Sequence, residues 1–428
     1  MKKKHDQHDF GISIPPKYNI INKYGRKMNY EVVIIGGGII GLATAKSLKK
    51  LDPKLAIAVF EKEPNLGAFA SGKNSGVIHS GFYYTPDSLK AKFCKTGNEG
   101  LKHLISKHDI PILNCGKVVV TRSNSEIPNL EKLFRRGLEN GIQLEVREEK
   151  DLVKVEPMAK TKSLFLWSPN TSVSDPNLVL QALAKDCRDL GIEILLNSKI
   201  SIDNAKMVSN HGVKIFSKWI INCSGARSLD MAHRFQVGTK YSQMPFLGTY
   251  LYADLKSLPL QTLVYPVPHP VNPFLGVHFT LSTNERIKIG PTAIPIINPE
   301  HNGFSKMHVL NDLANFARSS IALTKSKNHN LSSLTFNDVA KINSRVLIRN
   351  ASLLVPKARD VKNWKRYPSA TRAQLVDLEN GKLEQDFVVE HSINSTHVLN
   401  AVSPGWTSAI PFGDYIGHQV IDRLSSTN

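Results

Sequence analysis

Cysteine is scarce in this chain of 428 residues: Cys94, Cys115, Cys187 and Cys223 lie far apart, and no C-x-x-C pair occurs. That excludes a disulfide framework and a zinc signature, so no metal site is expected and a reducing compartment is. Long apolar runs are also missing; none approaches the roughly 20 residues that span a bilayer. Acidic residues are few, 36 Asp and Glu against 55 Lys and Arg, for a net charge of +19. Such a charge favours an acidic small molecule or an anionic membrane surface. Aromatics make up only 7% and are not interleaved with basic runs, so no nucleic-acid partner is expected. The 41% hydrophobic content is that of an ordinary globular protein, and the length suggests two domains.

The first 27 residues, MKKKHDQHDFGISIPPKYNIINKYGRK, are polar and basic without periodicity. They lack the apolar centre of a secretory signal, and Asp6 and Asp9 spoil the acid-poor pattern of a transit peptide. Residues 1–27 are expected to be a disordered leader outside the fold.

From Tyr30 the chain reads YEVVIIGGGIIGLATAKSLKKLDPKLAIAVFEKE. A short β-branched run, a glycine cluster and a helix-compatible stretch follow one another, so the frame Gly36-x-Gly38-x-x-Gly41 falls at a strand-to-helix turn. Gly36 permits the tight turn, Gly38 lets a pyrophosphate approach the backbone, and Gly41 brings helix and strand together. The helix start offers free N–H groups to phosphates. A second strand ends at Glu61, about 20 residues after Gly41, where a carboxylate accepts hydrogen bonds from ribose hydroxyls. The cradle predicts a dinucleotide, FAD or NAD.

The remainder of the chain chooses between them. The stretches WIINCSGARS (219–228) and VLNAVSPGWTSAIPFGDYIG (398–417) each read as a strand closed by a small-residue turn. Together with NSGVIHSGFYYTPDSLKAKFCKTGNEG (74–100), LVYPVPHPVNPFLGVHFT (263–280), TRAQLVDLENGKLEQDF (371–387) and NAVSPGWTSAIP (400–411), the chain resembles the L-2-hydroxyglutarate oxidases and dehydrogenases. These are FAD enzymes of the D-amino-acid-oxidase-like superfamily, and the resemblance runs from about residue 29 to 417.

The resemblance implies an α/β protein, an FAD-binding Rossmann-like domain with an inserted, mainly antiparallel-sheet substrate domain. The expected FAD-binding segments are 28–101, 172–236 and 366–428, and the substrate domain takes 102–171 and 237–365. Asn74, Ser75 and Gly76 would lie along the isoalloxazine ring with His79 at its edge, and covalent attachment at His79 stays open. Tyr83 and Tyr84 would face substrate, with Tyr265 and Lys90 as further contacts. Gly225, Ala226 and the turn Ser403-Pro404-Gly405 would complete the flavin site.

Oxidation of a 2-hydroxy acid needs a held carboxylate, a group to take the hydroxyl proton and a Cα–H aimed at flavin N5. Arg372 is the expected carboxylate binder, because its planar fork matches a carboxylate. For the proton, alternation along residues 275–280 sends Gly276, His278 and Thr280 to one face, which makes His278 the expected base and His79 its competitor. Family members carry Arg-Gly-Glu-Tyr where this chain has Leu247-Gly248-Thr249-Tyr250, and NTSVSD replaces a family turn at 170–175. Both departures bear on the acid accepted and leave the flavin site alone.

The resulting expectation is hydride transfer from an L-2-hydroxy acid, L-2-hydroxyglutarate first, to FAD. The electrons would pass to a quinone or to oxygen. The alternatives are an amino acid or secondary amine oxidase of the same fold and a non-catalytic flavin-binding protein. The expected compartment is the cytoplasm, peripheral to the inner membrane, with mitochondria as the alternative.

Overall fold

The strand Met28–Ile35 lies in the middle of a sheet because Val32, Val33 and Ile34 are wholly buried, as in strands covered on both faces. In the computed structural model, which describes residues 28–204, 207–210, 212–268, 275–300, 309–325 and 340–426, this strand pairs in parallel with Ile57–Phe60 and with Val213–Asn222. The expected leader, 1–27, lies outside the described residues. Glu193–Leu195 extends the sheet beyond Ile57–Phe60, and Ser395–Asn400 pairs in parallel with Val213–Asn222. Three distant stretches of chain thus build one nucleotide-binding sheet. The helix Ile39–Leu51 follows the first strand, and the helices Pro176–Asp189 and Ala409–Ser426 pack against it.

The last of these contacts is close because of two glycines one helical turn apart. A Cβ on Gly413 would come within 2.7 Å of Ala43 Cβ, and one on Gly417 within 2.7 Å of Ser47 Oγ. Asp186, on the helix Pro176–Asp189, is buried and accepts from Lys46 Nζ at 2.5 Å and Lys107 Nζ at 2.7 Å, with His108 Nε2 at 2.9 Å. One carboxylate therefore ties Ile39–Leu51, Leu89–Lys107 and Pro176–Asp189 together.

A second sheet of ten strands carries the inserted region. Its long axis is the antiparallel pair Tyr241–Asp254 and Lys365–Asp377, running from the Tyr241–Asp377 match to the Tyr252–Lys365 match. Arg286–Gly290, His278–Ser282, Leu263–Pro266, Lys117–Val120, Leu164–Ser168 and Glu145–Glu148 continue it, and only Leu263–Pro266 with Lys117–Val120 is parallel. The mainly antiparallel character matches the expectation. One boundary does not. The third nucleotide-domain segment was expected from residue 366, but the strand Lys365–Asp377 belongs to the substrate sheet. Its buried Leu375 and Val376 and its pairing with Tyr241–Asp254 hold it there, so the chain re-enters the nucleotide sheet only at Val388–Ser392.

Between the two sheets a three-stranded patch joins Val77–Ile78, Ser172–Ser174 and Ile112–Leu113. The atypical NTSVSD stretch is thereby a strand, followed by Asp175 as the cap of the next helix, its Oδ1 accepting from Asn177 and Leu178 N–H. No helix among the described residues is long and apolar enough to cross a membrane.

Candidate active site

The glycine cradle forms where the first strand meets its helix. Gly36 has φ +110°, and a Cβ there would lie 2.3 Å from the Cys223 carbonyl oxygen, so only glycine lets the strand ends meet. Gly38 is the N-cap residue of Ile39–Leu51 and caps it with no side chain; Ser71 Oγ instead accepts from Ile39 N–H at 3.0 Å. Glu61 accepts from Gly37 N–H and from Glu63 N–H, each at 3.0 Å, which holds its carboxylate at the strand tip.

These groups open onto a cavity of about 1520 Å³, larger than an ordinary small-molecule site of roughly 300–1,000 Å³ and of dinucleotide size. Gly36, Gly38, Glu61, Asn74, Ser75, His79, Gly225, Ala226, Ser403, Pro404 and Gly405, all expected at the cofactor, line it. Gly41 and Gly76 do not. A Cβ on Gly41 would meet Gly36 O at 2.1 Å and one on Gly76 would meet Ser174 O at 2.1 Å, so both glycines serve close backbone packing behind the wall. The cavity suits a flavin dinucleotide. Gly225 adopts φ +59° with nothing within 4 Å of a built Cβ, and the helix start at Gly38 presents backbone rather than a capping side chain.

The stretch that follows is pinned from behind. Thr407 Oγ1 accepts from His79 N–H and donates to the Val77 carbonyl, both at 3.2 Å. Asn98 Nδ2 donates to the Ile78 and His79 carbonyls, and Gly97 lets the Thr407 carbonyl approach to 2.3 Å of where a Cβ would stand. The Ser403-Pro404-Gly405 turn and residues 77–79 therefore form one wall. The helix that follows the turn begins at Ala409.

The facing wall is the polar side of the substrate sheet. Phe279, Ile289 and Leu251 point into the hydrophobic core, which turns His278, Thr280 and Tyr250 the other way. Arg372 lines the cavity and hydrogen-bonds the Tyr250 hydroxyl. Gly248 lies beside it; a Cβ there would be in ordinary contact with Arg372 Nη2, at 3.5 Å. His278 Nδ1 donates to the Gly276 carbonyl at 2.8 Å, and the Tyr265 ring stacks on the imidazole with centroids 3.8 Å apart and a 16° tilt. Since that carbonyl can only accept, the neutral ring carries its proton on Nδ1 and leaves Nε2 basic.

Burial, with the Arg372 charge beside it, lowers His278 to about 3. Burial first, then Lys117 and His278, holds His79 well below the usual imidazole range, and its buried Nδ1 has no hydrogen-bond partner among the described residues. Both imidazoles are neutral at pH 7, each with an unprotonated ring nitrogen.

The expected substrate contacts divide. Arg372 and His79 line the cavity, whereas Tyr83, Tyr265 and His278 are buried outside its lining and Tyr84 is half-buried there, its hydroxyl bonded to Ser403. Lys90 is elsewhere. Its ammonium sits 5.7 Å from the Phe387 ring centroid near Asp386 and Glu384, away from the cavity lining, because the backbone of the helix start is held by Asp386. Ser71, Thr407, Tyr250 and Lys117 went unnoticed as site residues. Ser71 and Thr407 act through backbone bonds that no spacing announces, and Lys117 opens the apolar run KVVV like a solvent-facing strand end.

The comparisons with known proteins agree with this geometry. The DAO family, FAD dependent oxidoreductase, matches residues 31–419. The L-2-hydroxyglutarate dehydrogenase of Escherichia coli K12 is 33% identical over 406 residues, 93% of this chain and 94% of the relative. The mitochondrial L-2-hydroxyglutarate dehydrogenase of Caenorhabditis briggsae is 33% identical over 430 residues, 96% and 97% of the two chains, and that of Homo sapiens 31% over 422 residues, 92% and 89%. Among solved structures, an L-α-glycerophosphate oxidase from Mycoplasma pneumoniae with FAD bound superposes with TM-score 0.70 at 21% identity, over 93% of this chain and 95% of that one. Glycine oxidase from Geobacillus kaustophilus gives 0.68 at 17%, covering 94% and 95%. A glycine cradle, an acidic strand tip, a dinucleotide-sized cavity and these relatives lead to one conclusion: the chain is an FAD-dependent oxidoreductase and belongs to the L-2-hydroxyglutarate dehydrogenase family.

Proposed function

We propose that this enzyme oxidises L-2-hydroxyglutarate to 2-oxoglutarate. The observation that carries the reading is the pairing of Arg372, on the cavity wall and braced by Tyr250, with two neutral imidazoles, His79 on the cavity lining and His278 buried behind it. FAD, when bound, supplies the two-electron acceptor for the Cα–H. It would be held by Gly36, Gly38 and Glu61 at the nucleotide end and by residues 74–79 and 403–407 at the ring end.

The protein does the rest. Arg372 fixes the substrate carboxylate through charge-assisted hydrogen bonds, which orients the Cα–H. His278 Nε2 takes the hydroxyl proton, its tautomer set by the Gly276 carbonyl and its plane by the Tyr265 stack; His79 is the competing base. The basic charge of the molecule draws a dicarboxylate toward the site. Electrons then leave to a quinone or to oxygen. The relatives include bacterial enzymes and mitochondrial animal enzymes, and for this chain a cytoplasmic site peripheral to the inner membrane is the proposed location, with mitochondria as the alternative.

The test is anaerobic addition of single chiral acids to the yellow protein. L-2-hydroxyglutarate should bleach the flavin band, while D-2-hydroxyglutarate and glycine leave it unchanged. Bleaching by glycine alone would replace this reading with amine oxidation, and a band that no acid bleaches would indicate flavin binding without catalysis.

A further inference from the structure

Behind the cavity wall lies a cation that the reaction scheme above does not use. Lys117 begins the strand Lys117–Val120 and is fully buried at 0% exposure. Its Nζ stands 4.9, 4.8 and 4.6 Å from the ring centroids of Phe82, Tyr83 and Tyr265, and it has no hydrogen-bond partner among the described residues.

No carboxylate answers this charge. The groups acting on it electrostatically are Cys94 on the helix Leu89–Lys107 and Cys115 beside its own strand. Both are neutral thiols, pushed up by burial to about 12 and about 11. The remaining titratable groups around it, His79, Tyr83, Tyr265 and His278, are also held neutral by burial. Ring faces attract an ammonium but do not neutralise it, and an unpaired buried charge is strongly disfavoured.

The cage also touches the reaction space by two routes. The Tyr83 hydroxyl and His79 Nδ1 are buried without partners, and His79 lines the cavity. Tyr265, which closes the cage, is the ring stacked on His278.

We propose that Lys117 is a positioning residue for the flavin reaction: its caged amine is where positive charge is placed to match negative charge arriving on the ring or in the acid site. At an effective dielectric near 20, a unit charge anywhere within about 10 Å shifts a charge-forming equilibrium by about tenfold or more. Burial lowers the lysine to about 7, so it is poised to bind a proton when that negative charge appears. Two-electron reduction of the enzyme above that pH would then take up one proton with the electrons on the flavin and a second from solvent onto Nζ.

The experiment uses FAD-loaded wild type and Lys117→Met, titrated anaerobically with reduced dyes, with sulfite binding as a second probe of negative charge on the ring. These readouts rest on the flavin and need no hydroxy acid, so they stand apart from the substrate assignment. In the variant, reduction should become about tenfold less favourable, about 30 mV for a two-electron couple, and the sulfite Kd should rise about tenfold. The wild-type potential should fall more steeply than the variant's above about pH 7, because only the wild type takes up the lysine proton. The apo variant should resist urea better than wild type, since methionine fills the cage without an unpaired charge. If Lys117→Met does not fold or take up FAD, Lys117→Gln supplies the same comparison. Unchanged potential and sulfite affinity in the folded variant would overturn the proposal, and lower apo stability alongside those unchanged values would assign Lys117 a structural role only.

Discussion

Arg372 and His278 belong to one sheet, with the strands Tyr241–Asp254 and Arg286–Gly290 between theirs, yet answer to different constraints, and their variants should separate binding from chemistry. Arg372→Ala removes bonds to a charged group worth about 1.5–3 kcal/mol. The expected result is a KM for L-2-hydroxyglutarate raised roughly 10- to 100-fold with the flavin spectrum intact, measured by steady-state kinetics. His278→Ala should lower kcat by about 10²–10⁴-fold while FAD is retained; near-normal turnover would transfer the base to His79. Asp186 belongs to this scale too, although it is remote from the cavity. Its carboxyl is held well below the usual range by Lys107, Lys46 and His108 against the opposing cost of burial. A depressed carboxylate stabilises the fold above its unfolded pKa near 4 and loses that contribution as pH falls through the lower folded value. Asp186→Asn should cost about 1–3 kcal/mol at pH 7, read from urea unfolding of the full chain.

At the scale of elements, the site depends on glycines that let backbones touch. Gly97 admits the Thr407 carbonyl, and Thr407 in turn holds His79 and Val77. Gly97→Ala should push the Ser403–Thr407 turn away from residues 77–79 and weaken FAD retention, seen as flavin lost during gel filtration. Gly413→Val would drive a branched side chain into Ala43 and Thr44 at the crossing of the first and last described helices. Overpacking of this kind costs about 1–3 kcal/mol or more, and a lowered Tm with coincident loss of flavin is the expected outcome. The strand Lys365–Asp377 illustrates the converse. Its residues were assigned to the nucleotide domain, but strand pairing with Tyr241–Asp254 outweighs nearness in sequence.

For the whole molecule, buried imidazoles set the acid limit. His278 at about 3, His397 at about 4 and His79, held well below the usual imidazole range by burial, must all charge when the chain unfolds in acid. Between those folded values and the unfolded value near 6.5, the unfolded chain binds more protons, so stability rises with pH through that window. The Tm should therefore climb from pH 4 to 6.5 and flatten above it. A flat profile across that window would contradict the neutral burial of these three groups.

The local text was enough for the cradle. A β-branched strand, Gly36-x-Gly38-x-x-Gly41 and Glu61 at the next strand end are short-range features whose chemistry follows from backbone sterics and one carboxylate. Alternation likewise placed His278 and Thr280 on the polar face. What the linear order could not settle is which groups behind the wall keep company: Arg372 with Tyr250, Tyr265 with His278, Lys117 inside three rings. Those pairings come from how strands and the loop carrying Phe82 and Tyr83 are brought together, and that follows from how the whole core packs. Burial then decides the charge of each group, because desolvation depends on every neighbour at once and on no single motif.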